Sequence, residues 1–328
     1  DLIFAALAPS SVKGLDPTNQ NTLATIDLEG LRYQGFTSPI IVTPDGTRAY
    51  AATARGIAVL DALTLRQVDV FTDKEHGTSG VDPIVLPTAV GSLAIDPGGS
   101  FLYACGTGSS AIYVIDIRPR SPHFHEMVQA IDVRPSVNHP LTHGLRGMAI
   151  SADGESLFVA VPGTTQYDGP QGGGFYDGGR VAGHVVVVNI DPKDEPVDSS
   201  ASNPNRWRQV VHVQEAGLDP YFVHATADPR RILFTNFLNS ASVPGFEDGL
   251  AALTVTNNDP LHFATDLRPI RLEFEAGQPN RLDVRNAQAV VTLPDQSYAF
   301  VLDYWLSGFP RPINARSIEA DAAAGLGA

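Results

Sequence analysis

The sequence predicts an all-β chain, a β-propeller of four-stranded antiparallel blades, about five to seven in number. Three observations predict it. A hairpin built on a Pro-Asp-Gly type of turn recurs along most of the chain. Helical periodicity is missing almost everywhere, apart from a short Ala-rich stretch at 318–324. Gly and Pro number 30 and 25 in 328 residues and only 18% of residues are charged, which excludes a helical bundle or coiled coil.

The clearest copy of the repeat is Ile40-Ile41-Val42-Thr43-Pro44-Asp45-Gly46, followed by Arg48-Ala49-Tyr50-Ala51-Ala52-Thr53. Pro presets φ, Asp bonds back to the backbone and Gly accepts a positive φ, so the flanking segments pair as a hairpin. Further copies are anchored on Pro97, Ala152, Ala227 and Pro294. A third strand follows each of the first three hairpins: Gly56–Asp61, Ala111–Asp116 and His184–Asn189, each ending in an Asp or Asn that starts the next turn. A fourth, more polar strand closes the set at 66–70, 128–133 and 209–213. Tyr50, Tyr103, Phe158, Phe234 and Phe300 take equivalent places in strand two and are expected to be buried between blades. Burying such a ring contributes on the order of 2–3 kcal/mol.

The resulting organisation is one propeller over residues 1–305. Residues 37–75, 90–134, 145–215 and 219–275 form complete blades. Residues 1–36 read as strands two, three and four of a partial blade (Leu2–Ala5, Thr22–Ile26, Leu31–Tyr33), and 285–305 as strands one and two of another. Residues 306–328 are a tail or the start of a further segment, and the expectation is a segment of a longer chain.

Tyr113-Val114-Ile115-Asp116, after a Pro-Gly-Gly turn and a Tyr-containing strand, resembles the YVTN or YncE-type β-propeller repeat. The resemblance covers roughly residues 37 to 305. It implies a propeller, mostly exported or cell-surface, and no single activity. Insertions at 163–182 and 238–248 depart from a minimal repeat.

Charge and cysteine usage exclude several function classes. The net charge is −14, which repels phosphate backbones and anionic membranes, so no nucleic-acid partner is expected. No apolar run approaches the 18 residues of a spanning helix, so no membrane insertion is expected. The one cysteine, Cys105, lies in an apolar run and reads as a core residue, leaving no intrachain disulfide and no thiolate metal site. The scarcity of Cys and Met suits an extracellular, cell-surface or periplasmic setting.

Two regions attract a functional reading. The insertion carries Tyr167, Asp168, Tyr176 and Asp177 among glycines, a composition suited to a carbohydrate or protein partner. Residues just before each innermost strand line the mouth of a propeller channel. By register these are Ser38, Gly91, Arg146, Tyr221 and Gln288, with His143 one short loop away. An Arg, a Tyr, a Gln and a His converging there suit an anionic small molecule or a carboxylate.

Metal and cofactor chemistry find less support. His123-Phe124-His125-Glu126 reads as an exposed loop whose two His fall on one side without a third ligand. His139 and His143 are separated by Pro140, which removes a helical metal site. His184 and His212 lie inside strands and read as structural. The Asp-rich 191–198 stretch lacks the spacing of a calcium loop. No metal and no cofactor are expected. The five channel positions carry no acid, which favours a binding or scaffold module over a propeller enzyme of the lactonase or quinone-dependent dehydrogenase type.

Overall fold

The structure is a computed structural model, and among its described residues the only helix is a single 3-10 turn at Pro192–Asp194. It describes residues 3–7, 11–16, 18–19, 21–27, 40–53, 56–68, 83–106, 108–136, 144–163, 182–196, 202–217, 219–236, 249–270, 287–293, 295, 298–303 and 311–313. The chain divides into two compact units, Asp1–Val133 with Leu141–Met148, and Arg134–Pro140 with Ala149–Ala328. Among the described residues no helix is long and apolar enough to cross a membrane.

The described strands form six antiparallel sheets. The first is β1 (Ile3–Leu7), β2 (Ser11–Leu15) and β3 (Thr22–Asp27). The second is β4 (Ile40–Val42), β5 (Arg48–Thr53), β6 (Gly56–Asp61) and β7 (Arg66–Val68), joined by β8 (Ile84–Val85). The third is β9 (Ser92–Ile95), β10 (Phe101–Cys105), β11 (Ala111–Asp116) and β12 (Met127–Asp132). The fourth is β13 (Met148–Ile150), β14 (Ser156–Val161), β15 (His184–Asn189) and β16 (Val210–Glu215). The fifth is β17 (Pro220–Ala225), β18 (Arg231–Asn236), β19 (Leu250–Asn257) and β20 (Ala264–Pro269). The sixth is β21 (Ala287–Thr292), β22 (Ala299–Asp303) and β23 (Arg311–Ile313).

Consecutive strands pair within each sheet, except that β8 pairs with β6. In the first unit β4 packs beside β1 and β9; in the second, β17 packs beside β14 and β21. This is the blade architecture of a β-propeller, and the fold class is the one the sequence predicts.

Burial follows from that stacking. A middle strand is covered on both faces, so its sequence loses alternation and runs apolar. Every residue of β14 is buried, as are the last five of β15. Fourth strands face solvent, so β12 and β20 keep polar positions in alternation. Tyr50, Ala52, Ile57 and Val59 of the second blade close on Leu93, Leu102, Ala104 and Ile115 of the third. In the second unit Phe158, Val185 and Val187 meet Ile232, Phe234, Ala251 and Leu253.

The turns repeat with the same chemistry. Asp45 accepts the Thr47 amide at 3.0 Å, Asp153 the Glu155 amide at 3.1 Å and Asp228 the Arg230 amide at 2.9 Å. In the third blade, where Pro-Gly-Gly replaces Pro-Asp-Gly, Asp96 supplies the carboxylate two residues earlier, in the place of Thr43, and accepts from Ser100 and Phe101. The turns after the third strands use Asp61, Asp116, Asn189 and Asn257 in the same way.

Some expectations need correction. Tyr50, Tyr103 and Phe158 are buried as expected, and Phe234 is buried too, but on the opposite face of its blade. The amide of Thr226 pairs with the carbonyl of Arg231, as that of Thr43 does with Arg48, and this register makes Leu233 the counterpart of Tyr50. Leu233 accordingly packs forward against Ala287, Val290 and Val301 of the sixth blade, while Phe234 packs back toward the fourth. One residue of slip exchanges the two faces of a strand. Phe300 is only half-buried.

The ends also differ from the sequence reading. In the first sheet, Ser11–Leu15 adds a strand between the two expected, its apolar pattern broken by Lys13 and Gly14. Leu31–Tyr33 and the 238–248 insertion lie outside the described residues. The sixth sheet gains Arg311–Ile313 as a third strand, with Pro312 opposite Phe300 at the edge position that a Pro tolerates.

Candidate functional site

Each blade has two ends. One carries the short turns between strands one and two and between three and four. The other carries the connections between strands two and three and the link to the next blade. Among the sequence-predicted site residues, the described ones, Gly91, Arg146, Tyr221 and Gln288, belong to this second end.

Arg146 lies just ahead of β13, half-buried, and its carbonyl oxygen accepts from the Cys105 thiol at 3.2 Å. Cys105 is fully buried, and burial pushes its thiol far above the ordinary range, so it is a core residue and no nucleophile. The Gly91 amide donates to the Cys105 carbonyl at 2.8 Å. In the second unit, Tyr221 stands near the start of β17 with 5% of its surface exposed. Gln288 stands near the start of β21, the strand packed beside β17. The structure thus brings Tyr221 and Gln288 to adjacent strand starts, and Arg146 belongs to the other unit. Ser38, His143, Tyr167, Asp168, Tyr176 and Asp177 lie outside the described residues.

Two polar residues that the sequence reading missed are buried near Tyr221. Asp219, immediately before β17, is 1% exposed, and Asn236, at the end of β18, is 2% exposed. Pro220 pairs with Asn236 across the ladder, and the register shifts before Val223. The bulge leaves the Phe222 amide to the Thr235 hydroxyl oxygen at 3.2 Å and sets Tyr221 apart from the regular alternation. Neither side-chain atom of Asn236 has a hydrogen-bond partner. Gly217, at φ +87°, lies against it: a Cβ there would meet Asn236 Oδ1 at 2.7 Å, so this approach requires glycine. The available signal was the Asp-Pro pair at a strand start, which places a carboxylate beside the expected channel position. Asp219 is not one of the five expected positions, and it sets a buried carboxylate two residues before Tyr221.

The described histidines divide by environment. His123 and Glu126 form an exposed pair at 2.9 Å, as do His262 and Asp259 at 2.7 Å. His125 does not share the side of His123. At φ +65° it turns inward, stacks on Phe124 at 3.7 Å and meets the Tyr50 hydroxyl through Nε2 at 3.0 Å. Burial, then the nearby Arg48 charge, pushes His125 down to about 4, with Asp116 opposing. His212 and His224 are lowered too, first by burial. Asp194, in the Asp-rich stretch, receives the side-chain amides of Asn189 and Asn205 at 2.8 and 2.6 Å, so residues 191–196 form an ordered turn. Among the described residues no three His, Cys, Asp or Glu side chains gather as metal ligands would.

No family model and no curated protein matches the chain. Among solved structures, hydrazine synthase of Kuenenia stuttgartiensis is similar, with a TM-score of 0.57 and 15% identity, over 93% of this chain and 77% of that one. That protein contains β-propeller domains, and at this identity the likeness shows the fold alone.

Proposed function

We propose that the chain is a non-enzymatic binding or scaffold propeller of an exported or cell-surface protein, of the YVTN-like kind. It engages a protein or carbohydrate partner through the 163–182 insertion and the adjoining blade ends. The observation that carries this reading is how the insertion is mounted. It leaves β14 at the buried Gly163 and returns at the buried Gly183, whose amide donates to the Gly217 carbonyl at 2.6 Å. The Gly183 carbonyl in turn accepts the Ala216 amide at 2.8 Å. The β14–β15 ladder runs up to Val161 opposite His184, so both flanks of the insertion are held by strands, and loops on rigid supports are where binding residues concentrate.

Deleting 165–180 is expected to leave the thermal midpoint nearly unchanged and to abolish binding to an oligosaccharide panel or a surface-protein partner. Unfolding on deletion would make the loop structural, and undiminished binding would remove it from the site. A second reading is favoured by Asp219: a buried carboxylate beside Tyr221 suits a propeller enzyme of the lactonase or quinone-dependent dehydrogenase type. Turnover of a lactone or reduction of a quinone acceptor by the intact chain would replace the first reading with this one.

A further inference from the structure

We propose that His125 and His224 are neutral ties between neighbouring blades, one in each unit, and that mild acidification releases both and loosens the blade packing. Each ring reaches across a blade boundary through Nε2. His224, on β17, holds the Thr292 hydroxyl on β21 at 2.9 Å and accepts the Thr292 backbone amide at 3.1 Å. A backbone N–H only donates, so Nε2 is the bare nitrogen. Protonation would set one N–H against another.

His125 reaches the same conclusion by another route. Its Nε2 meets Tyr50 of the second blade at 3.0 Å, while its Nδ1 is buried without a hydrogen-bond partner. The imidazolium carries a proton on both nitrogens, so charging would bury a donor that nothing accepts. Arg48, 5.2 Å from the Phe124 ring on which His125 stacks, adds a like charge.

The charged groups around the two rings leave this direction intact. Facing His125 are Arg48 at the start of β5 and Asp116 at the end of β11, while Asp45 of the same hairpin acts on Tyr50. Its own turn carries Arg118, Arg120, His123 and Glu126. Asp116 is already taken by Arg118 and Ser121, and Glu126 by His123. Around His224, β18 carries Arg231, the hairpin turn carries Asp228 and Arg230, the turn after β21 carries Asp295, and β17 and β21 carry none.

His212 supplies the internal contrast. Thr265 donates its one hydroxyl proton to Gln214 Oε1 at 2.9 Å, so its oxygen accepts from His212 Nε2 at 2.9 Å. That tie already has a protonated Nε2, and a proton arriving at Nδ1 does not break it. The sign is fixed for the other two. Both rings are lowered on folding, so the unfolded chain binds more protons below the ordinary histidine value of 6.5. Stability is complete above that pH and declines as pH falls through it.

The test uses the full chain, with denaturant midpoints followed from pH 8 to about 4.5, and histidine ring nitrogens followed by NMR in the wild type. The wild-type midpoint is expected to fall below about pH 6.5. His224→Gln and His125→Gln are each expected to flatten that fall, while His123→Gln, at an exposed ring, keeps it. In the wild type, the two rings stay neutral when most histidine is charged. Equal pH slopes in the wild type and both tie variants would overturn the proposal. If the variants do not fold, protonation of both rings near pH 6.5 overturns it by NMR alone.

Discussion

The two ends of the blades use polar residues in opposite ways. At the turn end, Asp45, Asp96, Asp153 and Asp228 each accept backbone amides of the turn they start, and Asp61 and Asp116 do the same after the third strand. Much of the chain's acidity is committed there to holding hairpins. At the other end the connections run from Val161 to His184, from Asn236 to Leu250 and from Pro269 to Ala287. Buried Asp219 and Asn236 sit at that end, at the start of β17 and the end of β18. The difference separates what the repeat needs for folding from what it carries beyond folding.

Backbone crossings give that contrast its largest expected effect. At Gly106, on the connection end, a Cβ would stand 1.8 Å from the Ala89 carbonyl oxygen, and at Gly56 1.9 Å from that of Ile84. The segment holding Ile84, Leu86 and Val90 is packed into the core between the second and third blades, so it cannot step aside. Gly46, at the turn end, has φ +70° and open space around it. Gly106→Ala is expected to cost about 3 kcal/mol or more, the range of a forced overpacking. Gly46→Ala should cost only the left-handed penalty, about 1 kcal/mol. Denaturant midpoints of the two variants check this, and equal losses would remove the distinction.

A second comparison sharpens the register. Leu233→Ala opens a cavity against the sixth blade and is expected to cost about 2–4 kcal/mol. Phe300→Ala should cost less despite the larger side chain, because Phe300 is only half-buried and its neighbours Val291 and Tyr298 are 46% and 45% exposed. If Phe300 proved the costlier site, the forward face of the sixth blade would be as well covered as that of the fifth.

The strand class and the turn chemistry were legible in the sequence because both are local. Pro44, Asp45 and Gly46 write the turn within three residues, and the apolar run Val185–Val188 can only be a strand covered on both faces. What was not legible depends on partners far along the chain. Leu233 and Phe234 are both apolar, so composition does not say which faces forward; the Thr226 to Arg231 pairing does. Alternation put His123 and His125 on one side, and the left-handed backbone at His125 defeats alternation. Asp219 drew no reading from the sequence, because an Asp-Pro pair at a strand start does not by itself mark the carboxylate as buried. The insertion's Tyr167, Asp168, Tyr176 and Asp177 were singled out by composition, and composition is still what recommends them.

The smallest expected effects lie at the turn end, where two kinds of acidic contact can be told apart. Asp45 accepts from the Thr43 and Thr47 hydroxyls and from the Thr47 amide, bonds that fix the geometry of the hairpin. Those bonds hold its carboxyl below the ordinary aspartate range, first through Thr43. Its contribution is therefore present above that range and lost as pH falls through it. Asp45→Ala is expected to cost about 1 kcal/mol or less, because solvent screens an exposed site. Lys193 meets Glu155 at 2.8 Å and Asp191 at 3.8 Å, with 77% of its side chain exposed. That contact joins two turns already closed by their own amides, Asp153 to Glu155 and Asp191 to Lys193. Lys193→Ala should leave the unfolding midpoint unchanged at physiological salt, and the Asp45→Ala loss should persist when salt is raised, since it rests on hydrogen bonds and not on a screened ion pair. A salt-dependent drop for Lys193→Ala equal to that of Asp45→Ala would mean that the turn end is held by charge as much as by geometry.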